Sequence, residues 1–286
     1  FVIGGMVLQL VGDSPPLVLP YFGELAPWQQ TFVYLGLPGI LLSIMILVIR
    51  EPSRRPFTRD PESSSDTQEL INFYKRNFKT IFFHHLGNLS LVLTGYAFVF
   101  WSITFFVRVH EMNAAEASQI FGWIFIFFGP LGPFLVAYLA RTLSKKGHRD
   151  ANITAGMLGG LITIPAVLII QIAPSPFWAF VFYAPALAAV NSPFGIASGA
   201  LPVITPPHLR ARVAAVYMLT GAIGMMFGPP LAGAFNEYIF PGPEGVRYSM
   251  ISMTCFFGIT GVLLLQLGRK HYALTMKNSE NWAEES

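Results

Sequence analysis

The sequence predicts an all-α fold in the form of a polytopic membrane helix bundle. Its 286 residues have a mean hydropathy of +0.54, and 12% of them are charged, whereas a soluble domain usually has about 25% charged residues. The charges cluster between long apolar runs instead of being spread along the chain. So few charges cannot cover a water-exposed surface of this size, and we therefore expect the helices to lie in lipid.

Seven apolar runs reach or approach the length of a transmembrane helix, which is about 20 residues. Polar or Pro- and Gly-rich breaks separate the runs, and an eighth run at 1–11 has about half of that length. The eighth run lacks the basic leader and the small-residue cleavage site of a signal peptide. The seven long runs are 30–49, 80–107, 118–140, 151–173, 177–205, 211–236 and 249–267.

The distribution of basic residues predicts how these helices are oriented. Of the 18 Lys and Arg residues, all except Arg108 and Arg247 lie in alternate connectors or in the C-terminal tail. The positive-inside rule places connectors of that kind in the cytoplasm. We therefore expect a multi-pass protein of the plasma membrane, the inner membrane of the cell, with its C-terminus in the cytoplasm.

The run at 1–11 is too short to cross the membrane. The break at 12–29 contains no Lys or Arg, so it is expected outside the cell, and run 1–11 approaches it from the cytoplasmic side. Eleven residues rise only about 16 Å as a helix, against a hydrocarbon core of about 30 Å. We interpret the run as the outer half of a helix whose inner half lies upstream of Phe1.

A long connector divides the helices into two groups. Residues 50–79 are charged and rich in Ser and Pro, which is the composition of a linker. They separate two helices within 1–49 from six helices within 80–267, and we expect this linker and the tail at 268–286 in the cytoplasm. The stretch LINFYKRNFK at the end of the linker is compatible with a short amphipathic helix on the inner leaflet or with a disordered loop.

The stretch PWQQTFVYLGLPGILLSIMILVIREPSRR resembles the sixth helix of major facilitator transporters. In that family a Trp and a Phe are often followed by G-x-P-G, about a dozen apolar residues and R-E-P-x-R. The combination is most similar to the spinster-like branch of lipid-type transporters, although Gln29 and Gln30 stand where that branch usually has an Arg beside the Trp. The matching residues are Trp28, Phe32, Gly36, Pro38, Gly39, Arg50, Glu51, Pro52 and Arg54.

This resemblance implies a fold of twelve helices, in two six-helix bundles joined by a long cytoplasmic loop. Residues 1–49 would then be the last two helices of the N-terminal bundle, the first of them incomplete, and 80–267 would be the C-terminal six-helix bundle. Counted by length, the chain holds about 7.5 of the 12 spans. The resemblance therefore predicts a major facilitator fold that is truncated at its N-terminus.

The connector at 137–150 resembles a degenerate copy of the family's loop motif, G-x-L-x-D-R-x-x-x-R. Leu139 matches, but Ala137 replaces the Gly and Arg141 replaces the acidic residue. In the family that acid caps a neighbouring helix and pairs with an Arg, so a comparable latch in this chain has to be made differently. The alternative is that the basic residues here only follow the positive-inside rule.

Neutral polar and aromatic residues are the candidates for substrate contacts. Away from their ends the seven runs contain no Asp, Lys or Arg, and polar side chains in hydrocarbon are expected to face the bundle interior. The resemblance gives runs 80–107 and 177–205 the places of the two helices that line the cavity of each such bundle. Helix packing or an interhelical hydrogen bond is the alternative role for each candidate, as is an interfacial position for Trp101. The candidates are Asn88, Thr94, Trp101, Tyr183 and Asn191.

The resemblance implies a secondary active transporter that moves a small organic or lipid-like solute across the bilayer by alternating access. The coupling ion, if there is one, is a proton or a sodium ion, and its carboxylate ligand is expected upstream because the long runs contain none. The prolines of run 177–205 and the glycines of run 211–236 suit helices that bend and slide.

Other classes of protein are less well supported by the sequence. A non-transporting membrane receptor or scaffold with the same architecture is the main alternative. A membrane-embedded enzyme would need a buried catalytic pair or metal cluster, and the sequence carries no recognised enzyme or cofactor motif. Nucleic-acid binding is not expected, because the basic residues form short clusters beside membrane helices.

Overall fold

The computed structural model describes residues 1–21, 23–46 and 65–280. These residues form helices and one small antiparallel hairpin, in which Val18 pairs with Glu24. The helices are α1 (Val2–Gly12), α2 (Pro27–Ile46), α3 (Ser65–Arg76), α4 (Phe78–Val109), α5 (Ala114–Phe128), α6 (Leu131–Lys145), α7 (Ala151–Gln171), α8 (Pro176–Ile204), α9 (Arg210–Ala234), α10 (Gly245–Met253) and α11 (Ile259–Glu280), and the strands are β1 (Val18–Leu19) and β2 (Gly23–Glu24).

Six helical segments of the described residues are long and apolar enough to cross a membrane. Two of these segments contain two α-helices each, since α5 and α6 follow one another directly and α10 is joined to α11 by a π-helical turn at Thr254–Gly258. Helix α8 has 29 residues and no charged side chain, so it is also long enough to span the hydrocarbon core. The predicted all-α polytopic bundle is therefore confirmed.

Residues 50–64 of the predicted linker lie outside the described residues, and so does the Arg50–Arg54 part of the motif. Of the stretch LINFYKRNFK, residues 70–76 form the second half of α3, Asn77 is a turn, and Phe78 and Lys79 begin α4. Phe73 of α3 is buried, and it packs with Ile81 of α4 and Leu209 at the start of α9. An apolar face that docks on the bundle explains why this short segment forms a helix, because isolated helices of this length are marginal in water.

Gln29 and Gln30 take part in the start of α2. The Oε1 of Gln29 accepts a hydrogen bond from the backbone N–H of Ala26 at 2.8 Å, and the Nε2 of Gln30 donates to the carbonyl of Leu25 at 2.8 Å. Helix starts leave backbone groups without intrahelical partners. The two glutamines therefore bind the backbone at the position where the related family usually has an Arg.

Aromatic side chains fill one end of the bundle formed by α4 to α11. Phe98, Phe106 and Tyr183 are fully buried there, and the ring of Phe106 stacks on that of Phe180 with centroids 3.9 Å apart. Helix α1 joins this end through Phe1, whose ring meets Phe121 of α5 edge-on at 4.5 Å. Aromatic pairs of this kind add to the stabilisation from burial alone.

Glycine allows α9 to approach α4 closely. A Cβ atom at Gly228 would lie 2.7 Å from the carbonyl oxygen of Leu93 and 3.4 Å from the backbone nitrogen of Ala97. At Gly221, two turns earlier on the same helix, a Cβ atom would have nothing within 4 Å. Close approach of backbones through small residues is a common way to hold membrane helices together.

Replacement of Gly228 by Ala is expected to lower the thermal stability of the purified protein. The added methyl group collides with backbone atoms of α4, so the two helices must separate, and overpacking of this kind costs about 1–3 kcal/mol. Thermal unfolding in detergent, followed by tryptophan fluorescence, measures the change. Gly221→Ala is the matched control and is expected to leave the midpoint unchanged or slightly raised. Equal midpoints for the two variants would contradict the close contact between α4 and α9.

Candidate functional site

A cavity of about 210 Å³ lies between α4, α5 and α8. We refer to it as the α4–α8 cavity. Its wall is mainly apolar, with one tyrosine and one asparagine, and no charged side chain of the described residues lines it. Its lining residues are Gly95, Tyr96 and Val99 of α4, Phe125 of α5, and Val190 and Asn191 of α8.

Asn191 is the predicted site residue that lines this cavity. Its Nδ2 donates a hydrogen bond to the carbonyl of Leu187, one turn earlier, at 2.9 Å. Within the described ranges its Oδ1 accepts no hydrogen bond, and the side chain is half-buried. The amide therefore has an oxygen and an N–H group available to a polar group in the cavity.

Asn88 and Thr94 lie elsewhere on α4, buried against neighbouring helices. The Nδ2 of Asn88 donates to the carbonyl of His84 at 2.8 Å, and the hydroxyl of Thr94 donates to the carbonyl of Ser90 at 3.1 Å. Both bonds run to the preceding turn of the same helix. Such local bonds satisfy a polar side chain inside the bundle without any ligand, and the structure does not bring these two residues into the α4–α8 cavity.

Tyr183 is fully enclosed in the aromatic end of the bundle. Its ring stacks on Phe98 with centroids 4.8 Å apart and meets Phe121 edge-on at 5.1 Å. Its hydroxyl shares a hydrogen bond with the hydroxyl of Ser102 on α4. The residue therefore connects α4, α5 and α8 from inside the protein, away from the cavity wall.

Trp101 borders a second and larger space of about 850 Å³, which we call the α4–α9 cleft. Its Nε1 donates to the carbonyl of Pro229 on α9 at 2.9 Å. Charged and polar side chains line the cleft near it, Arg108 at the end of α4 and Asn236 and Glu237 in the π-helical turn Phe235–Ile239. Asn236 is only 8% exposed, and its Oδ1 has no hydrogen-bond partner within the described part of the chain.

The candidates named from the sequence do not include Tyr96 or Asn236. The α4 candidate Thr94 is buried, and its hydroxyl donates to the carbonyl of Ser90 within the same helix. Tyr96 lies on a different face, the one that lines the α4–α8 cavity. A signal for Asn236 was present, since Glu237 beside it is an acidic residue at the end of an otherwise apolar run.

Asp150 supplies the acidic residue that the loop motif at 137–150 lacks at its usual place. Its Oδ2 accepts hydrogen bonds from the Nε of Arg269 at 2.7 Å and from the hydroxyl of Thr154 at 2.9 Å. Nearby, the hydroxyl of Tyr272 donates to the carbonyl of Ala200 at 2.8 Å. Together these bonds connect the start of α7, the end of α8 and the middle of α11.

Metal binding has little support among the residues that the structure describes. These contain no group of three or more His, Cys, Asp and Glu side chains placed to hold an ion. The neighbouring His84 and His85 have their Nδ1 atoms 3.4 Å apart, and the ring of Tyr217 lies within 5.6 Å of both imidazole rings. Their described surroundings are therefore largely aromatic.

Two solved structures of a bacterial homolog of the human lysosomal transporter Spinster have the same fold. The inward-facing, unoccupied structure matches with a TM-score of 0.64 at 21% identity, over 96% of this chain and 64% of that chain. The inward-facing, occupied structure matches with a TM-score of 0.64 at 19% identity, over 96% and 66% of the two chains. No protein-family profile and no curated protein matches the sequence.

These matches show that the chain has the helix-bundle fold of the two solved structures, in agreement with the all-α polytopic bundle that the sequence predicted. The chain spans less than two thirds of the solved transporter in the first match, 64% of its length.

The pair formed by Asp150 and Arg269 predicts a pH-dependent contribution to stability. Burial raises the pKa of Asp150, but hydrogen bonds from Arg269 and Thr154 and the positive charge of Arg269 outweigh it, and the pKa lies below its ordinary value of 3.8. A lowered pKa means that the folded state favours the carboxylate. The stabilisation is therefore complete above about pH 4 and is lost as the pH falls towards the folded-state pKa.

Asp150→Asn is expected to destabilise the protein at pH 7 by about 1–2 kcal/mol, because a charge-assisted hydrogen bond is lost at a partly exposed site. The difference from the unmodified protein should narrow as the pH is lowered to about 3. Thermal unfolding in detergent between these pH values measures both effects. Glu244→Gln, which breaks a more exposed pair with Arg247, is the control and should cost less. A difference that stays constant with pH would rule out the ion pair as its source.

Proposed function

We propose that this protein is a secondary active transporter that moves a small organic or lipid-like solute across a membrane by alternating access. The observation that carries this proposal is the match of nearly the whole chain to a transporter solved in both an unoccupied and an occupied inward-facing conformation. Two further features support it. One is the cavity between α4 and α8, and the other is the set of prolines in α8 and α9, together with the π-helical turn after α9, which allow these helices to bend.

The chemistry of the α4–α8 cavity favours an amphipathic or organic solute over a small ion. Val99, Phe125 and Val190 offer apolar contacts, and Tyr96 and Asn191 offer polar groups at the same wall. Ion sites in membrane proteins are usually built from charged side chains or several convergent oxygens. A cavity with a mainly apolar wall and few polar groups suits a solute that is itself mostly apolar.

Asn191 and Trp101 are the two candidates that we propose to contact the solute directly, because they border the α4–α8 cavity and the α4–α9 cleft. Asn88, Thr94 and Tyr183 are proposed to hold α4 and α8 in position, since their hydrogen bonds are made inside the bundle. The solute would then be bound by the cavity wall and by residues supplied from the facing bundle of the fold.

Alternating access requires helices that change their packing. Pro185, Pro193 and Pro202 lie inside α8, and a proline removes a backbone hydrogen bond and permits a bend. Helix α9 contains Pro229 and Pro230 and ends in a π-helical turn, a feature that often occurs at functional sites. We propose that the bundle rocks as a unit, with the ends of α8 and α9 taking up the bending.

The proposal extends to orientation and coupling. We propose that the C-terminus lies in the cytoplasm, since the positive-inside rule favours that side for the basic connectors, and that the membrane is the plasma membrane. Among the described residues no charged side chain lines the α4–α8 cavity, so a coupling proton or sodium ion would be bound by groups outside it. A receptor or scaffold of the same architecture would keep the bundle but would not move solute.

Counterflow in proteoliposomes tests the transport function. The complete protein is reconstituted with an unlabelled single-chain amphiphile inside, and uptake of the same amphiphile carrying a fluorescent label is measured outside. Transient accumulation of the label above its equilibrium level is expected from exchange through an alternating-access carrier. Binding of the amphiphile without accumulation would contradict the transporter and would favour the receptor or scaffold.

Asn191→Ala is expected to slow this exchange about three- to tenfold, the loss expected for one hydrogen bond to the solute, with little change in thermal stability. Asn88→Ala is the matched control, and it should lower the melting temperature because the surroundings of Asn88 are buried and packed. Reduced exchange by Asn88→Ala at full stability, with normal exchange by Asn191→Ala, would reverse the assignment of the two residues.

A further inference from the structure

A second feature of the bundle lies far from the candidate site, where the end of α3, the start of α4 and the last turns of α11 meet. There a groove of about 350 Å³ opens at the surface, and we call it the α3–α11 groove. Trp101 and Arg108 lie near the opposite end of α4, which has 32 residues and therefore a length of about 48 Å. The groove is thus at the other end of the bundle from the α4–α9 cleft.

The lining of this groove is strongly cationic. Lys75 and Arg76 come from the last turn of α3 and Lys79 from the first turn of α4, and all three are exposed. His271 and Asn278 of α11 line the opposite wall, and no acidic residue in the described part of the chain lines the groove. Among the residues that the structure describes, the three cations have no carboxylate partner. Three unpaired positive charges in one concave site favour a ligand with negative charge.

The start of α4 adds backbone donors to the same site. Asn77 precedes the helix but does not cap it, because its Nδ2 donates to the carbonyl of Phe73 at 3.1 Å and its Oδ1 accepts from the hydroxyl of Thr275 at 3.3 Å. The first turn of α4 lines the groove. A helix start carries free N–H groups and partial positive charge, both of which favour a phosphate.

Exposed apolar side chains border the cationic part of the groove. Phe78 is 63% exposed and Phe82, one turn further along α4, is 42% exposed. Leu274 of α11 is 61% exposed and lines the groove itself. Both helices belong to segments that are long and apolar enough to cross a membrane. The cationic side chains therefore lie at the ends of these helices, next to an exposed apolar surface that can take up acyl chains at the edge of the bilayer.

We propose that the α3–α11 groove binds an anionic phospholipid of the surrounding leaflet. Its phosphate lies among Lys75, Arg76, Lys79 and the first turn of α4, and its acyl chains lie over Phe78, Phe82 and Leu274. Because the cations come from both α3 and α4, the bound lipid holds the linker helix against the bundle. This inference does not depend on the identity of the transported solute or on transport itself.

Native mass spectrometry of the complete protein tests this lipid site. The protein is purified from nanodiscs of phosphatidylcholine that contain phosphatidylglycerol, and the retained lipid is counted. Retention of one phosphatidylglycerol in preference to phosphatidylcholine is expected. Equal retention of the two lipids would overturn the proposal, since both carry a phosphate but only phosphatidylglycerol carries a net negative charge. Displacement of the lipid by millimolar inorganic phosphate would also overturn it, because the site would then recognise the free anion.

A set of charge variants locates the site. Lys75→Gln, Arg76→Gln and Lys79→Gln together are expected to weaken phosphatidylglycerol retention at least tenfold, since each cation near an anionic headgroup contributes about fivefold. The matched control removes three exposed cations at the same end of the bundle, by Arg141→Gln, Lys145→Gln and Lys146→Gln, and should retain the lipid. Equal losses in the two triple variants would show general surface charge and overturn the proposal.

Lys79→Gln alone provides a milder test if the triple variant does not fold. It is expected to weaken retention of phosphatidylglycerol about fivefold, and Lys145→Gln is its control. Unchanged retention in Lys79→Gln, in a protein that elutes as a single folded species, would contradict the site.

Discussion

Hydrocarbon offers no hydrogen-bond partner to a polar group, and this constraint shapes the whole structure. Backbone groups are satisfied inside helices, and many of the hydroxyl and amide side chains within those helices use the same backbone. Each of these donates to a carbonyl one turn earlier and becomes compatible with burial. The side chains that do so include Asn88, Ser90, Thr94, Thr163, Ser249 and Thr254. A polar residue inside the bundle is therefore not by itself a sign of a binding site.

Close packing on both sides of α4 follows from the same constraint, since lipid supplies no hydrophobic force that would press helices together. Gly228 allows α9 to approach one side of α4, and Gly261 of α11 would place a Cβ atom 2.9 Å from the carbonyl oxygen of Gly87 on the other. At the aromatic end of the bundle, large buried rings fill the space between the helices instead. Helix α4 thus links α8, α9 and α11 into a unit whose outer surface contacts lipid and whose cavity wall contains Asn191.

The sequence predicted most of the fold because length and polarity decide where a membrane helix begins and ends. It did not predict that run 118–140 would divide at Gly129 and Pro130, since a break inside an apolar run leaves hydropathy unchanged. The extension of α11 to Glu280 was also missed, because it depends on Tyr272 and Thr275 packing against α8 and α4. For the site, the sequence named Thr94 as a candidate on α4, whereas the cavity is lined by Tyr96, and only tertiary packing distinguishes the two residues.

Cysteine labelling measures the central claim most directly, which is that the chain crosses the bilayer repeatedly with its cationic connectors on one side. Single cysteines replace Glu24, Lys145, Gly242 or Lys277 in a variant that lacks Cys255, and sealed vesicles of known orientation are treated with a membrane-impermeant maleimide. The account predicts that positions 145 and 277 react from one face of the membrane and positions 24 and 242 from the other. Reaction of positions 145 and 277 from opposite faces would contradict the topology, and with it the proposed transporter.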